Sequence, residues 1–433
     1  MADGATSTTA SACTAPRIRV PRSGIAALFI GTAALALVGA GAAIAQAGAG
    51  TGTAVYWMTA DTTSGMGSMM AGGGGSAAVI QAMMGGGGGQ ASYAHLLSLQ
   101  LGSPRKASPG EPAAEHLPPP GLRAGASLPL VTPQRAPAVE TGPWNGKMEK
   151  PKGRILIYWG CGDRARPGQP VVIDFATLSA GKMPPAFATM RTSSGPAWGR
   201  HATYGEWPNQ RSPKPLPADG SLVGEHVVRG NYTPEIKFTL AQGQDFLAPV
   251  AVSGNQAGPS GSVPLAWRPV SGAKAWFVAT MGAAQNGDMV MWSSSETQAM
   301  PMMMAHLPQD EIARLVTGKV LLPASAMRCT VPAEVAKASQ SAMLTATALG
   351  GEANFSHPAR PPKAPASWRP DWTVKLLANS SYTGLLGVDM AEMTGGGDQG
   401  DGGDAEAEAP KQGKKKKRNP FGGLGGIGNI IGQ

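Results

Sequence analysis

The chain has 433 residues, with 61 glycines, 38 prolines, 15% charged residues and a formal net charge of +9. The length allows two or three domains, and 42% hydrophobic content is enough for real cores, which excludes a chain that is low-complexity throughout. The few charges leave a surface made polar by Ser, Thr, Gln and Gly, as is common in exported proteins.

At the N-terminus Arg17, Arg19 and Arg22 form a basic stretch ahead of the apolar residues 24–43, and Ala43 and Ala45 fit a small-x-small cleavage pattern. The expectation is a signal peptide over residues 1–45, cleaved after Ala45. The competing reading is an uncleaved anchor, because the apolar run is long enough to span a bilayer. Residues 46–390 hold 27 basic and 20 acidic side chains, so the body is mildly basic and favours anionic surfaces such as lipid headgroups or acidic glycans.

Residues 46–90 are rich in Gly and Met and read as a disordered leader, because glycine runs cannot bury enough surface to offset their ordering entropy. Over 91–133, "YAHLLSLQLGS" alternates like a strand, and a Pro-rich extended stretch follows with one more short strand at 127–131. Residues 134–153, with Pro137, Pro143 and Pro151, read as a linker.

Residues 154–252 are expected to form a first β-sandwich. Ile155, Ile157 and Trp159 share a face with Cys161; Val171, Ile173 and Phe175 line a second strand; Ile236, Phe238 and Leu240 alternate with Glu235, Lys237 and Thr239. Cys161 and Cys329 are the cysteines that remain after cleavage. A nucleophilic role is disfavoured, since no helix start or second nearby cysteine would lower the thiol pKa. Two readings stay open: a disulfide closing a loop of about 168 residues, and two separate buried thiols. The segment 196–210 gathers Trp198, His201, Tyr204, Glu206 and Trp207. Aromatic rings beside a carboxylate would suit sugar stacking, but a loop pinned to the sandwich by its aromatics explains the same residues. The pairs Glu225-His226 and Asp310-Glu311 fit exposed strand and helix positions.

Residues 258–390 are expected to form a second sandwich. Val263, Leu265 and Trp267 lie on one strand face, "PVSGA" makes a turn, and Trp276, Val278 and Thr280 lie on the returning strand. This inward Trp, Pro-x-x-Gly-Ala turn and returning aromatic resemble the B and C strands of fibronectin type III domains. "DMVMWSSSE", "AMLTATALGGEANFS" and "DWTVKLLANSSYTGLLGVDM" would supply later strands of such a domain. A short helix is expected after Pro308, with Ile312, Leu315 and Val316 on one face and Gly318 beyond its end. "MPMMMAH" at 300–306 and "MGSMM" at 66–70 offer soft thioether donors for copper, though no His/Cys cluster completes either set.

Residues 391–433 read as a disordered tail. An acidic Gly/Ala stretch precedes the basic block Lys414, Lys415, Lys416, Lys417 and Arg418, which would contact an anionic surface. The sequence holds no GxSxG, no HExxH, no P-loop, no SxxK with supporting motifs and no Rossmann fingerprint. The sequence therefore points to a mainly β protein with two immunoglobulin- or fibronectin-like sandwiches, exported to the periplasm or beyond. It would act as a non-catalytic binding or scaffold module of the cell envelope, without cofactor. Its partners would be an anionic surface or glycan or another envelope protein, with no specific nucleic acid. The alternatives are a secreted hydrolase of carbohydrate or ester using the 198–207 loop, and a periplasmic Met-rich copper protein.

Overall fold

The computed structural model describes residues 52–71, 93–134, 153–175, 190–209, 216–299 and 306–388. The expected signal peptide, the 135–152 part of the linker, Met300 to Met304 and the acidic and polybasic tail lie outside the described residues. The described chain is mainly β, as its alternating sequence requires.

One ten-stranded sheet organises the molecule. Across it run β6 (Val171–Asp174), β5 (Arg154–Trp159), β13 (Met289–Ser293), β12 (Ala275–Ala283), β16 (Ser341–His357), β17 (Trp372–Leu385), β1 (Ala54–Gly65), β2 (Tyr93–Ser103) and β7 (Thr203–Trp207), with β14 (Leu322–Pro323) paired to β12. The pairs β1–β17 and β5–β13 are parallel and the others antiparallel. A four-stranded sheet runs in the order β4 (Leu128–Leu130), β3 (Ala114–Leu117), β8 (Gly224–Gly230), β9 (Ile236–Leu240). A three-stranded sheet runs β10 (Val252–Ser253), β11 (Val263–Trp267), β15 (Arg328–Val331). The helices are α1 (Met66–Ala71), α2 (Gln309–Thr317) and α3 (Ala333–Ala338).

This arrangement corrects two expectations. The boundary expected between sandwiches near 252–258 does not divide the sheets: strands from both segments interleave in the ten-stranded sheet, together with β1 and β2. The leader is also not structureless over its whole length. Ala54, Tyr56, Met58 and Ala60 are buried on one face of β1, which sits between β17 and β2. The glycine runs nearby masked a strand whose own residues alternate strictly.

The period-2 pattern explains the layers. One face of the large sheet presents Tyr56, Leu99, Trp276, Val278, Trp292, Leu344 and Val374, and the small sheets pack on it through Val228, Ile236, Phe238, Val263, Leu265 and Val331. Trp267 of β11 meets Trp276 of β12 at 5.3 Å between ring centres, so the two strands that resemble fibronectin B and C lie in different sheets. On the opposite face α2 covers Ala275, Phe277 and Leu349 with Ile312 and Leu315. At the other side of that face Ile155, Ile157, Ile173 and Met291 form a smaller cluster.

Cys161 and Cys329 form a disulfide, with Cα atoms 5.2 Å apart. β5 ends at Trp159, and Gly160 takes φ +97°, a left-handed conformation that favours glycine. The turn carries Cys161 off the face of Ile155 and Ile157, where strand parity had placed it, and into the main core. The bond thus joins the end of β5 in the large sheet to β15 in the three-stranded sheet.

Candidate functional site

β16 is one strand of 17 residues, yet its inward face changes parity midway. Leu344, Ala346 and Ala348 face the main core, and beyond a register shift between Leu349 and Glu352 it is Ala353 and Phe355 that do so. The bulge is built on Gly350 and Gly351, and a Cβ at Gly350 would collide with the carbonyl oxygen of Ala378. One extra residue therefore swings Phe355 and His357 to the side they share with Trp372, which pairs with His357 across the ladder.

These residues line a depression of about 420 Å³ where β9 meets the end of β16 and the start of β17. Phe238, Phe355 and Trp372 supply apolar surface; Lys237, Asn354, Ser356, His357 and Ala359 complete the lining. Phe238 and Phe355 approach to 5.5 Å between ring centres, and His357 stacks on Trp372 at 5.8 Å. Lys237 Nζ pairs with Glu225 Oε2 at 2.8 Å. Its position on β9 follows from the alternation that sends Phe238 inward and Lys237 outward.

Behind Phe238 lies a polar chain sealed in the core. The Tyr56 hydroxyl is 2.6 Å from His116 Nδ1, His116 Nε2 is 3.0 Å from His226 Nδ1, and His226 Nε2 is 2.7 Å from the Leu222 carbonyl. A carbonyl can only accept, so His226 Nε2–H donates to it and leaves Nδ1 as acceptor. His116 Nε2–H then donates to His226, and the tyrosine hydroxyl donates to His116 Nδ1. Each group is fully buried. Burial drives both imidazoles below the usual histidine pKa, His116 further than His226, and pushes the Tyr56 phenol up. The three groups are therefore neutral, and Phe238 stacks on His226 at 5.0 Å. His226 was expected at an exposed strand position. Neighbouring Glu225 does face solvent, and β alternation sends His226 inward.

The loop residues expected to stack on sugar are divided between surface and core. Tyr204 and Trp207 are buried, the Tyr204 hydroxyl donates to Glu206 Oε2 at 2.7 Å, and burial together with that bond raises its pKa. His201 lies against Gly102 of β2, and Trp198 is exposed. The structure does not assemble these five residues into one aromatic face, because β7 takes Tyr204 and Trp207 into the sheet as an edge strand.

Glu311 was also expected on an exposed helix position and is fully buried. Arg191 donates to it from its backbone nitrogen and its Nε, each at 2.9 Å, and Arg314 donates from Nε at 2.8 Å. Hydrogen bonds from Arg314 and Arg191 hold its pKa down to about 2. Asp288 similarly accepts from Arg154 Nε and Nη2, at 3.0 and 2.7 Å. These carboxylates tie segments together. Of the Met-rich stretches, Met66, Met69 and Met70 lie in or at the face of α1, and among the described residues no cluster of three or more His, Cys, Asp or Glu side chains is placed to hold a metal ion.

Phe355, His357, Trp372 and Lys237 carried no signal as a site in the sequence. The double glycine of "ALGGEANFSH" was the usable clue, since glycine inside a strand pattern marks a bulge. Comparison with protein-family models, with curated proteins and with solved structures finds no match to this chain.

Proposed function

We propose that this protein is an exported, non-catalytic binding or scaffold module of the cell envelope, and that its ligand sits in the depression between β9 and the β16–β17 end. The observation that carries the reading is the lining: three aromatic rings at the base and four polar or charged side chains at the rim, in about 420 Å³. A mostly apolar concavity with a few placed polar groups is the usual form of a small-molecule or sugar site. Several residues of the types that do chemistry elsewhere are engaged in holding the fold here: the described cysteines in a disulfide, His116 and His226 in a sealed chain, Glu311 and Asp288 on arginines. The mildly basic body adds attraction toward anionic envelope material.

The test uses the exposed rim. Immobilised full-length protein should retain a polysaccharide fraction of envelope extract, and His357→Ala should reduce that retention several-fold while leaving the melting temperature unchanged. Equal retention by His357→Ala would sink the assignment of the depression.

A further inference from the structure

We propose that the ligand of this depression is an acidic sugar unit of a glycan, a uronic acid, held by its ring against the aromatic lining and by its carboxylate toward the basic β16–β17 connection. The inference rests on the depression being the binding site and deepens it by naming the charge of what binds.

The connection, residues 358–371, carries Arg360, Lys363 and Arg369 and no carboxylate before Asp371. Ala359, next to Arg360, lines the depression, so the basic run begins at its wall. The arginines are held in place. The Arg360 guanidinium lies 5.7 Å from the Trp368 ring centre, and Arg369 Nη1 donates to the carbonyls of Ala366 and Trp368 at 2.7 and 2.9 Å. Among the described residues no ion pair engages Arg360, Lys363 or Arg369, whereas Lys237, Arg154, Arg191, Arg314 and Lys375 all have carboxylate partners. The basic side chains of the connection that leaves the depression at Ala359 thus have no ion-pair partner among the described residues, while Lys237 of the lining is paired with Glu225.

A sugar ring suits the rest of the lining. Its axial C–H face is apolar and packs on aromatic carbons, and its hydroxyls meet the Ser356 hydroxyl, the Asn354 amide and the His357 imidazole. A purely apolar ligand would strand those polar groups, and a bare inorganic anion would make no use of the apolar edge that Phe355, with the largely buried Phe238 and Trp372 behind it, presents to the depression. A uronic acid answers both requirements. Attraction between exposed cations and its carboxylate would be sensitive to salt.

Binding of a short oligouronate and of a neutral oligosaccharide of equal length is measured by isothermal titration calorimetry at low and high salt. The proteins are the full chain, Arg360→Ala/Lys363→Ala/Arg369→Ala, His357→Ala, and a chain ending at Pro410. The expected result is about tenfold tighter binding of the oligouronate than of the neutral sugar at low salt, a preference abolished by the triple substitution and by high salt. His357→Ala should weaken both ligands, and the chain ending at Pro410 should behave as the full chain does. Equal affinity for the two sugars would overturn the acidic assignment and leave the binding reading standing. Oligouronate binding that survives the triple substitution but disappears from the chain ending at Pro410 would place the interaction on the tail and overturn it as well. Binding of neither sugar would remove the sugar assignment altogether, and unchanged retention by His357→Ala in the extract assay would separately remove the site.

Discussion

Replacing His116 by leucine tests whether the sealed chain is held together as described. His116 is its central member: it accepts from Tyr56 through Nδ1 at 2.6 Å and donates to His226 through Nε2 at 3.0 Å. Leucine fills a similar volume but can do neither. The Tyr56 hydroxyl then lacks its acceptor and His226 Nδ1 lacks its donor, both at positions closed to water. Each of the two stranded buried groups costs about 1–3 kcal/mol, and the added apolar burial of leucine returns roughly 1 kcal/mol, so the net loss should be about 1–5 kcal/mol. Tyr56→Phe is the comparison. It strands one lone pair on His116 and should cost about 1–3 kcal/mol. Urea unfolding of both variants at pH 8, followed by tryptophan fluorescence, gives the two values. A His116→Leu variant no less stable than Tyr56→Phe would refute the reasoning, since it would mean that the flanking groups find water or other partners. The same chain sets a pH dependence. Both histidines have folded pKa values below the unfolded value, so their contribution is complete above about pH 6.5 and is lost as pH falls through that value, at up to about 2.7 kcal/mol per pH unit for the pair.

Further outcomes follow from other contacts. The disulfide closes a loop with a sequence separation of 168, so Cys161→Ser/Cys329→Ser should lose about 5 kcal/mol in the entropy model, read as a drop in the urea midpoint; alkylation of the native protein that labels either cysteine would contradict the bond. Glu311 has a folded pKa of about 2, below its unfolded value, so its contribution is present above about pH 4.3 and is lost as pH falls toward 2. Because its arginine partners are half exposed, Glu311→Gln should cost only about 2 kcal/mol at neutral pH, with a weaker acid dependence between pH 4 and 2. Gly350→Ala places a Cβ against the Ala378 carbonyl and should cost about 1–3 kcal/mol by thermal melting, and a stability equal to the parent would show that the bulge can shift.

Much of the strand content could be read from the sequence. The strands of Ile236, Phe238 and Leu240 and of Trp267 alternate over five residues, and the strand of Trp276 is a short apolar run buried on both faces, so local pattern suffices to place them. The amphipathic α2 was equally visible, from Pro308 to Gly318. The sheet order was not visible, because Ala54 pairs with Trp372 and no local pattern specifies a partner so distant in sequence. Two sandwiches were expected because adjacent strands were paired with adjacent strands, whereas the fold joins β5 to β13 and β1 to β17. The same limit hid the candidate site. His116 and His226 stand 110 residues apart in sequence and become diagonal neighbours only because β3 pairs with β8, and Phe355 turns toward the core only because a bulge changes the parity of β16. At 198–207 the sequence left two readings, sugar stacking and anchoring of the segment by its aromatics, and the buried Tyr204 and Trp207 are in keeping with anchoring. Aromatic residues near a carboxylate look alike in sequence whether they anchor an edge strand or face a ligand, and burial decides between the two.

The parallel pairing of β1 with β17 sets the polarity of any tether. Ala54 lies beside Trp372, so the described chain enters the sheet at the end that carries the depression, and it leaves β17 at Leu385, at the opposite end of the strand. At about 3.3 Å per residue, the 14 residues of β17 separate the two points by roughly 45 Å. An attachment through the N-terminal flank would hold the depression close to the attached surface, and one through the C-terminal flank would turn it away. Fusing the protein to a bead or a bilayer through one flank and then the other should therefore change access of a polymeric ligand to His357, with no change in the site itself.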